Sequence, residues 1–581
     1  MARIRKVEIE NFRGIQRLEW NPSPGINCLI GPGDSGKSSI LDAIDLCLGA
    51  RRSATFTDAD FHQLKVDAPI VIAVTVGELD DDLKSLHAYE NYLRGFDANT
   101  GRVEEEPGVG LETVLTVKLT VASDLEPTWT LVSERAEALQ PTRNLAWADR
   151  VRLAPTRIGE MASYHLGWRR ASVLNRVSEE RADVSAGLAE AARSARDKFG
   201  DLAQGQLAET LRIVADTAKE LGIPVGENIK AMLDAHSVSF SDGSISLHDE
   251  HGVPLRGLGI GSTRLLIAGL QRKAAARSSI VLIDELEYGL EPHRIIRMLG
   301  SLGAKEKVPP LQVFTTTHSP IALCELSGGQ LFLVRRSAER HEIQVVGTDN
   351  RIQGTIRSSP HAFLAPRVIV CEGASEVGFI RGLDQYRTAN GHDSIAAQGV
   401  ALVDAKGVDQ IYDRALPLQA LQYMVFVVRD DDKRPKEVDE QVFVESGGNV
   451  LVWRDERALE EELFFSLTDD AVGSLLERAV DLNGERLIND QLKSISGNAK
   501  DLEGIRDEAR RGVISRESRD LLGKAAKNGE SGKKKGWFKT VTMMEDVARD
   551  IVGPDLPNAD AEFRNCVEHI FEWANNAGQR D

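Results

Sequence analysis

The chain begins with RIRKVEIENFRGI, where Ile4, Val7 and Ile9 are set among charged residues in the alternation of a half-buried strand. In INCLIGPGDSGKSSILDAIDLCLG the pattern changes twice: an apolar run, a glycine-rich break, then helical spacing, which predicts strand, loop and amphipathic helix. Short unbroken apolar runs follow at Ile280 to Ile283, in LQVFTTTHSPIAL, at Val368 to Val370, in LQYMVFVVRDDDKRP and in NVLVW. Runs of this length without alternation read as strands covered on both faces. Between the two groups lies VSEERADVSAGLAEAARSARDKFGDLAQGQLAETLRIVADTAKELGI, rich in Ala, Glu, Leu and Arg at helical spacing, with few breakers before Gly222. PHAFLAPR, with two prolines, reads as a linker between the halves.

The first chemistry sits in the glycine-rich break. Residues Gly31 to Ser38, GPGDSGKS, match GxxxxGK[ST] between a strand and a helix. Glycines there let backbone N–H groups close on phosphates at a helix N-terminus, Lys37 reaches the β- and γ-phosphates, and Ser38 ligates Mg²⁺. Gly31, Gly33, Asp34, Ser35, Gly36, Lys37, Ser38 and Ser39 are the expected ATP contacts. The strand at 280–283 ends in Asp284 and Glu285. Asp284 is expected to hold Mg²⁺ through water and Glu285 to orient the water that attacks the γ-phosphate.

This combination resembles ABC-type ATPases, and the start of the chain, NFRGI at Asn11 to Ile15, resembles their RecF/SMC-like branch. The resemblance implies that His318, at the end of the strand after Asp284 and Glu285, contacts the γ-phosphate. It also implies a signature peptide ahead of the acidic strand. LSGGQ at Leu326 to Gln330 has the signature's spelling but follows both Asp284 and His318, so it reads as a surface turn. Gly259, Gly261 and Ser262, just before a helical stretch, are the better placed degenerate signature. Gly33 departs from the family loop, which often carries Asn there. The insert at 173–234 is too short for a long coiled-coil arm and reads as a helical dimerisation element, with a self-packing bundle as the alternative.

The second half carries different chemistry. VIVCEGASEVGFIRGL places Glu372 at a strand end, Gly373 in the turn and Glu376 on the following helix. LQYMVFVVRDDDKRP ends a longer strand at Asp430, Asp431 and Asp432. Carboxylates at the ends of neighbouring parallel strands converge, and they repel unless divalent cations neutralise them. EGxxxE followed by a strand and DxD resembles the Toprim domain, and Glu460 in RDERALEEELFF fits the LExxL arrangement of its nuclease branch. Lys535 and Lys539 in KKKGWFKT are candidates for a phosphate-stabilising lysine.

An ABC-type half, a helical insert and a Toprim half in one chain resemble the OLD (overcoming lysogenization defect) nuclease family, which includes the Gabija nuclease subunit. The fold class expected is α/β: an ABC-type (RecF/SMC-like) P-loop ATPase domain at 1–172 and 235–350 with its dimerisation insert, followed by a C-terminal Toprim domain at 361–581. The resemblance implies an ATP-dependent DNA endonuclease in anti-phage defence, with Glu372, Glu376, Asp430, Asp432 and Glu460 as ligands of two Mg²⁺ or Mn²⁺ ions. It further implies double-stranded DNA as substrate, a homodimer or higher oligomer, and room for a helicase-like partner. An ATP-driven DNA clamp of the RecF/SMC type is the competing reading; a primase is disfavoured because no Cys/His cluster accompanies the acidic motifs.

Composition narrows this picture in three places. A net charge of −18 excludes a generally basic surface, so DNA must be met by patches such as Arg51 and Arg52, Arg169 and Arg170, Lys433 to Lys436, and Lys533 to Lys535. Five scattered cysteines without CxxC spacing favour buried thiols over disulfides or zinc. No run approaches a membrane span and no export signal is visible at the N-terminus, which predicts a cytoplasmic location.

Overall fold

The computed structural model describes residues 2–84, 89–138, 143–159, 162–166, 172–177, scattered positions between 187 and 213, and then 247–276, 278–337, 340–454, 456–527 and 536–575. Most of the expected helical insert lies outside the described residues, as do Lys535, Arg169, Arg170, Lys533 and Lys534. No described helix is long and apolar enough to cross a membrane.

The elements that position functional residues are, in chain order, β1 (Ile26–Ile30), α1 (Lys37–Leu48), α2 (Ile260–Lys273), β2 (Ile280–Ile283), α3 (Pro292–Ser301), β3 (Gln312–Thr316), α4 (Pro320–Glu325), β4 (Leu331–Arg336) and β5 (His341–Val345). They continue with β6 (Arg367–Cys371), α5 (Ala374–Ala389), β7 (Val400–Asp404), α6 (Val408–Ala420), β8 (Met424–Arg429), α7 (Glu437–Glu445), β9 (Asn449–Val452), α8 (Leu459–Ser466), α9 (Arg516–Lys527) and α10 (Val541–Val547).

The chain forms two compact units. The first contains Met1–Ile9, Asn21–Ile26 and Leu41–Thr315. In it the strands Ile70–Gly77, Glu112–Val121 and Leu93–Asp97 pair antiparallel, with Arg102–Glu104 and Pro127–Leu131 flanking them. A parallel set has β2 between β3 and the short strand Thr156–Arg157. All four residues of β2 are buried, as the unbroken apolar run demands.

The second unit contains Glu10–Trp20, Asn27–Ile40 and Thr316–Asp581. There β4 pairs parallel with β1, Leu331 opposite Cys28, and antiparallel with β5. A separate four-stranded sheet, entirely parallel, runs β7-β6-β8-β9. The chain leaves β6 for β7 on one side and returns to β8 on the other, so the strand order reverses between β6 and β8. Loops part at such a switch point and leave a crevice beyond the strand ends. Glu372 and Asp430 are the residues that immediately follow β6 and β8.

One hydrophobic cluster runs from Ile369 to Ala574 and ties this sheet to the helices that follow it, with Phe379, Phe426, Trp453, Phe464, Trp537 and Phe563 buried. Helix α5 owes its depth to two glycines one turn apart. A Cβ at Gly378 would run into the carbonyl oxygen of Val541, and one at Gly382 into that of Glu545, so α5 and α10 meet backbone to backbone. PHAFLAPR is not a linker: Pro360–Leu364 forms a 3₁₀ turn with Ala362 and Phe363 buried. The Tyr423 hydroxyl donates to the Phe363 carbonyl at 2.9 Å. The prolines set the turn, and the apolar residues between them bury it.

Replacing Gly382 with Val forces α5 away from α10 and is expected to cost about 1–3 kcal/mol. Thermal melting followed by circular dichroism checks this, with an unchanged Tm as the contrary result.

Candidate functional site

The P-loop has the geometry its sequence requires. Gly31 (φ 139°), Asp34 (φ 58°) and Gly36 (φ 84°) adopt left-handed backbone, and a Cβ at Gly31 would lie 2.5 Å from the Val334 carbonyl oxygen. The buried Lys37 ammonium donates to the carbonyls of Gly31 at 3.0 Å and Pro32 at 2.6 Å, and lies 3.3 Å from Ser35 Oγ, so it sits within the curl of its own loop. Ser38 is exposed and Ser39 half-buried at the start of α1. Around Gly33 a Cβ would meet nothing within 4 Å, so the absence of the family's Asn does not reflect a lack of room.

In the first unit, Asp284 and Glu285 leave the end of β2 as the sequence predicts. Glu285 takes a left-handed conformation (φ 48°), which costs a non-glycine residue roughly 1 kcal/mol or more. The fully buried Arg264 holds that turn: its guanidinium donates to the carbonyls of Tyr288 at 2.5 Å and of Asp284 and Glu285 at 3.0 Å each. Arg264 belongs to α2, the helix that Gly259 caps and that carries Gly261 and Ser262. A Cβ at Gly261 would strike the Gly289 carbonyl, so glycine is required where α2 meets the turn after β2. The Ser262 hydroxyl accepts from Arg294 at 2.9 Å. Asp284 and Glu285 also line a cavity of about 730 Å³ with Arg157, His165, Arg176 and Arg264.

LSGGQ follows α4 and forms a 3₁₀ turn at Gly328–Gln330, in which the Gln330 side chain accepts the Ser327 N–H at 3.0 Å. The Gly328 N–H donates to Gln353 Oε1 at 3.0 Å and ties the turn to the helix Asn350–Ser358. His318 is exposed between β3 and α4.

The acidic residues of the second unit converge at the crevice between β6 and β8. Carboxylate oxygens of Glu372, Asp430 and Asp432 all lie within 4.8 Å of one another. Glu372 accepts the backbone N–H of Asp430 at 3.0 Å, and Asp430 accepts that of Leu459 at 2.9 Å. Glu376, at the third position of α5, accepts the Gly373 N–H at 2.8 Å. Glu460 is fully buried; its Oε1 accepts from Ser375 at 2.9 Å and lies 2.7 Å from Lys539 Nζ, while its Oε2 has no hydrogen-bond partner among the described residues. Asp431 instead accepts the Glu456 N–H at 2.9 Å and serves the loop.

Crowding out of water sets the electrostatics. Burial, then the Glu460 charge, pushes the Glu376 carboxyl up to about 7. Burial, then Glu376, Glu460 and Glu372, holds Asp430 well above the usual carboxylate range, and burial also raises Glu372. Burial pulls the Lys539 ammonium down, but Glu460, Asp430 and Glu376 together outweigh it and hold it above its ordinary value.

Asp430 thus shares one metal-sized cluster with Glu372 and Asp432, and it feels the charges of Glu376 and Glu460 as well. An all-oxygen donor set with a buried oxygen that lacks a partner among the described residues fits hard divalent cations. Two participants carry no motif in the sequence. Lys527 closes the lysine side of the cluster, 3.1 Å from Asp432 and 2.9 Å from Glu461, and Arg264 fixes the turn after β2. Only their placement by distant helices marks them. Lys433, Arg434 and Lys436 are exposed next to Asp432 in the chain.

A family model described as AAA domain, putative AbiEii toxin, Type IV TA system, matches residues 26–324. The DNA replication and repair protein RecF of Chlorobium luteolum is 44% identical over 45 residues, 8% of this chain and 12% of RecF. The DNA double-strand break repair Rad50 ATPase of Methanopyrus kandleri is 32% identical over 114 residues, 19% of this chain and 12% of Rad50. The chain therefore spans about an eighth of the length of these curated relatives. Among solved structures, an SMC head bound to the C-winged helix domain of ScpA covers 59% of this chain and 97% of its own, at 13% identity and TM-score 0.31. The SMC head domain from Thermotoga maritima gives 14% identity and TM-score 0.28.

The raised Glu376 carboxyl has a signed consequence. Between about 4.5 and about 7 the folded protein holds a proton there that the unfolded chain releases, so stability without divalent metal falls as pH rises through that window. The loss is on the order of 2–3 kcal/mol. Melting in EDTA at pH 5 and pH 7.5 reads it: Tm is expected to fall, and Glu376→Gln to flatten the fall. A Tm that rises over the same interval contradicts the assignment.

Proposed function

The chain belongs to the family of the AAA domain, putative AbiEii toxin, Type IV TA system, and from that premise we propose that it is an ATP-regulated, divalent-metal-dependent DNA endonuclease. Its ATPase domain has the α/β P-loop fold of ABC type and is related to RecF, Rad50 and SMC proteins. In this reading residues 361–581 form a Toprim nuclease domain of the OLD type, the assembly is a homodimer or higher, and the biological role is antiviral defence in the cytosol.

The observation that carries the proposal is the convergence of Glu372, Asp430 and Asp432 within 4.8 Å, beside a fully buried Glu460 whose Oε2 lacks a partner among the described residues. A purely structural acidic cluster has no reason to remain desolvated, because each buried carboxylate costs several kcal/mol unless a cation repays it. Bound Mg²⁺ or Mn²⁺ would supply activation of water and neutralisation of charge on the leaving 3′-oxygen. Glu372, Asp430 and Asp432 would hold one ion, and Glu376, Asp430 and Glu460 the other. Lys539 keeps a cation beside Glu460, in position to meet charge that develops on a scissile phosphate. Exposed Lys433, Arg434 and Lys436 would lie along the DNA backbone next to Asp432.

For ATP, the curled loop and Lys37 would hold the phosphates and Ser38 would ligate Mg²⁺; Asp284 and Glu285 are the residues expected to serve Mg²⁺ and the attacking water. Gly259, Gly261, Ser262 and His318 are the other residues that would be expected to contact a γ-phosphate.

Conversion of supercoiled plasmid to nicked or linear DNA, in Mg²⁺ or Mn²⁺ and with or without ATP, tests the reading. Wild type is expected to cut, Asp430→Ala to lose at least about 100-fold of the rate, and Lys37→Ala to cut without responding to ATP. ATP hydrolysis with no cleavage of any DNA form would instead support a DNA clamp.

A further inference from the structure

The Lys37 ammonium donates to the carbonyls of Gly31 and Pro32. A phosphate that takes this donor takes it from both, so the backbone at Gly31 has to reset when nucleotide binds. Gly31 has little room in which to do so. It follows β1, which pairs in parallel with β4 through Ile30 opposite Leu333, and a Cβ on it would lie 2.5 Å from the Val334 carbonyl oxygen. A change at Gly31 is therefore felt at Val334.

The next residue, Arg335, contacts the turn that leads into the carboxylate-bearing sheet. Its Nη2 donates to the Leu421 carbonyl at 2.8 Å, and its guanidinium carbon lies 4.8 Å from the centre of the Tyr423 ring. Leu421 and Tyr423 flank Gln422, a non-glycine residue in left-handed backbone (φ 62°), where α6 gives way to β8. From that turn β8 runs directly to Asp430, whose N–H donates to Glu372 Oε2 at 3.0 Å.

Burial alone does not call for a cation at this place. It pulls the Arg335 guanidinium below its ordinary value, against the influence of Tyr423, and Arg335 Nε is buried with no hydrogen-bond partner among the described residues. A Leu or Met side chain would fill the space without desolvating a charge. What the guanidinium adds is a directed tie between the end of a strand that touches the P-loop and a turn whose backbone is already strained.

We propose that Arg335 is the link through which nucleotide at the P-loop acts on the carboxylate crevice. The inference rests on the ATP-regulated nuclease reading above and names its route of regulation. Resetting of Gly31 shifts Val334 and Arg335, Arg335 shifts the turn at 421–423, and β8 carries that shift to Asp430 and so to its contact with Glu372. Arg335 is a positioning residue in this scheme: it touches neither the nucleotide nor the carboxylates.

Hydrogen–deuterium exchange of the full chain, with and without a non-hydrolysable ATP analogue and Mg²⁺, tests the link independently of cleavage. In wild type the analogue is expected to slow exchange at 31–40 and to change it at 418–430; Arg335→Met should keep the first response and lose the second. In plasmid cleavage, Arg335→Met should cut at the wild-type rate without ATP, while an ATP effect of about fivefold or more in wild type disappears. A response at 418–430 that survives in Arg335→Met, or that is missing from a wild type whose P-loop responds, overturns the link and leaves the nuclease reading standing. Responses at both segments in a wild type that cuts no DNA overturn the nuclease reading, and the loss of the second response in Arg335→Met then still supports the link. A P-loop that does not respond overturns the nucleotide site and the link with it. If Arg335→Met does not fold by circular dichroism, Arg335→Gln is read by the same criteria.

Discussion

Mutual repulsion among carboxylates gathered out of water is the constraint around which the C-terminal part of this protein is arranged. Glu372, Glu376, Asp430 and Glu460 come from two strand ends and two helix starts, and a chain free to relax would separate them. Three features hold them together. The parallel sheet ends β6 and β8 side by side at its switch point; backbone N–H groups of Gly373, Asp430 and Leu459 each bond a carboxylate; and Lys539 and Lys527 place positive charge at the margins. Those contacts leave the centre of the cluster uncompensated, as the raised carboxyls of Glu376 and Asp430 record. Divalent cations are the species that would quench such a centre.

The same logic of pre-set backbone appears in the nucleotide-binding elements, with opposite sign. There the charge to be held is a phosphate, and the loop supplies left-handed glycines and N–H groups rather than oxygens. Arg264 does for the acidic strand what the lysines do for the carboxylates. It satisfies three carbonyls at the end of β2 and so keeps Glu285 in a conformation it would not choose alone. In both places a cation is used to fix geometry.

Much of this was legible in the sequence because it is local. GPGDSGKS, the apolar run ending at Asp284 and the run ending at Asp430 each state their own secondary structure and chemistry within a dozen residues, and each takes the predicted form. What was not legible depends on contacts between distant segments. Lys527 looks like any helix-terminal lysine until α9 is laid on α8, and Gly378 and Gly382 look like weak points in a helix until α10 approaches them. PHAFLAPR misled for a related reason: its prolines signal a break, but Phe363 finds a buried site, and burial of an aromatic ring outweighs the break's tendency to stay in water. Of the run DDD, the DxD resemblance singled out Asp430 and Asp432, and the backbone sends the middle one, Asp431, to Glu456.

The central claim is that the crevice between β6 and β8 holds divalent cations on these carboxylates. Anomalous diffraction from crystals soaked in Mn²⁺ tests it most directly. The account predicts a peak ligated by Glu372, Asp430 and Asp432, and at higher Mn²⁺ occupancy a pair of peaks sharing Asp430. A well-ordered crevice with no anomalous density among these side chains, at Mn²⁺ concentrations that fill other sites on the protein, would contradict it.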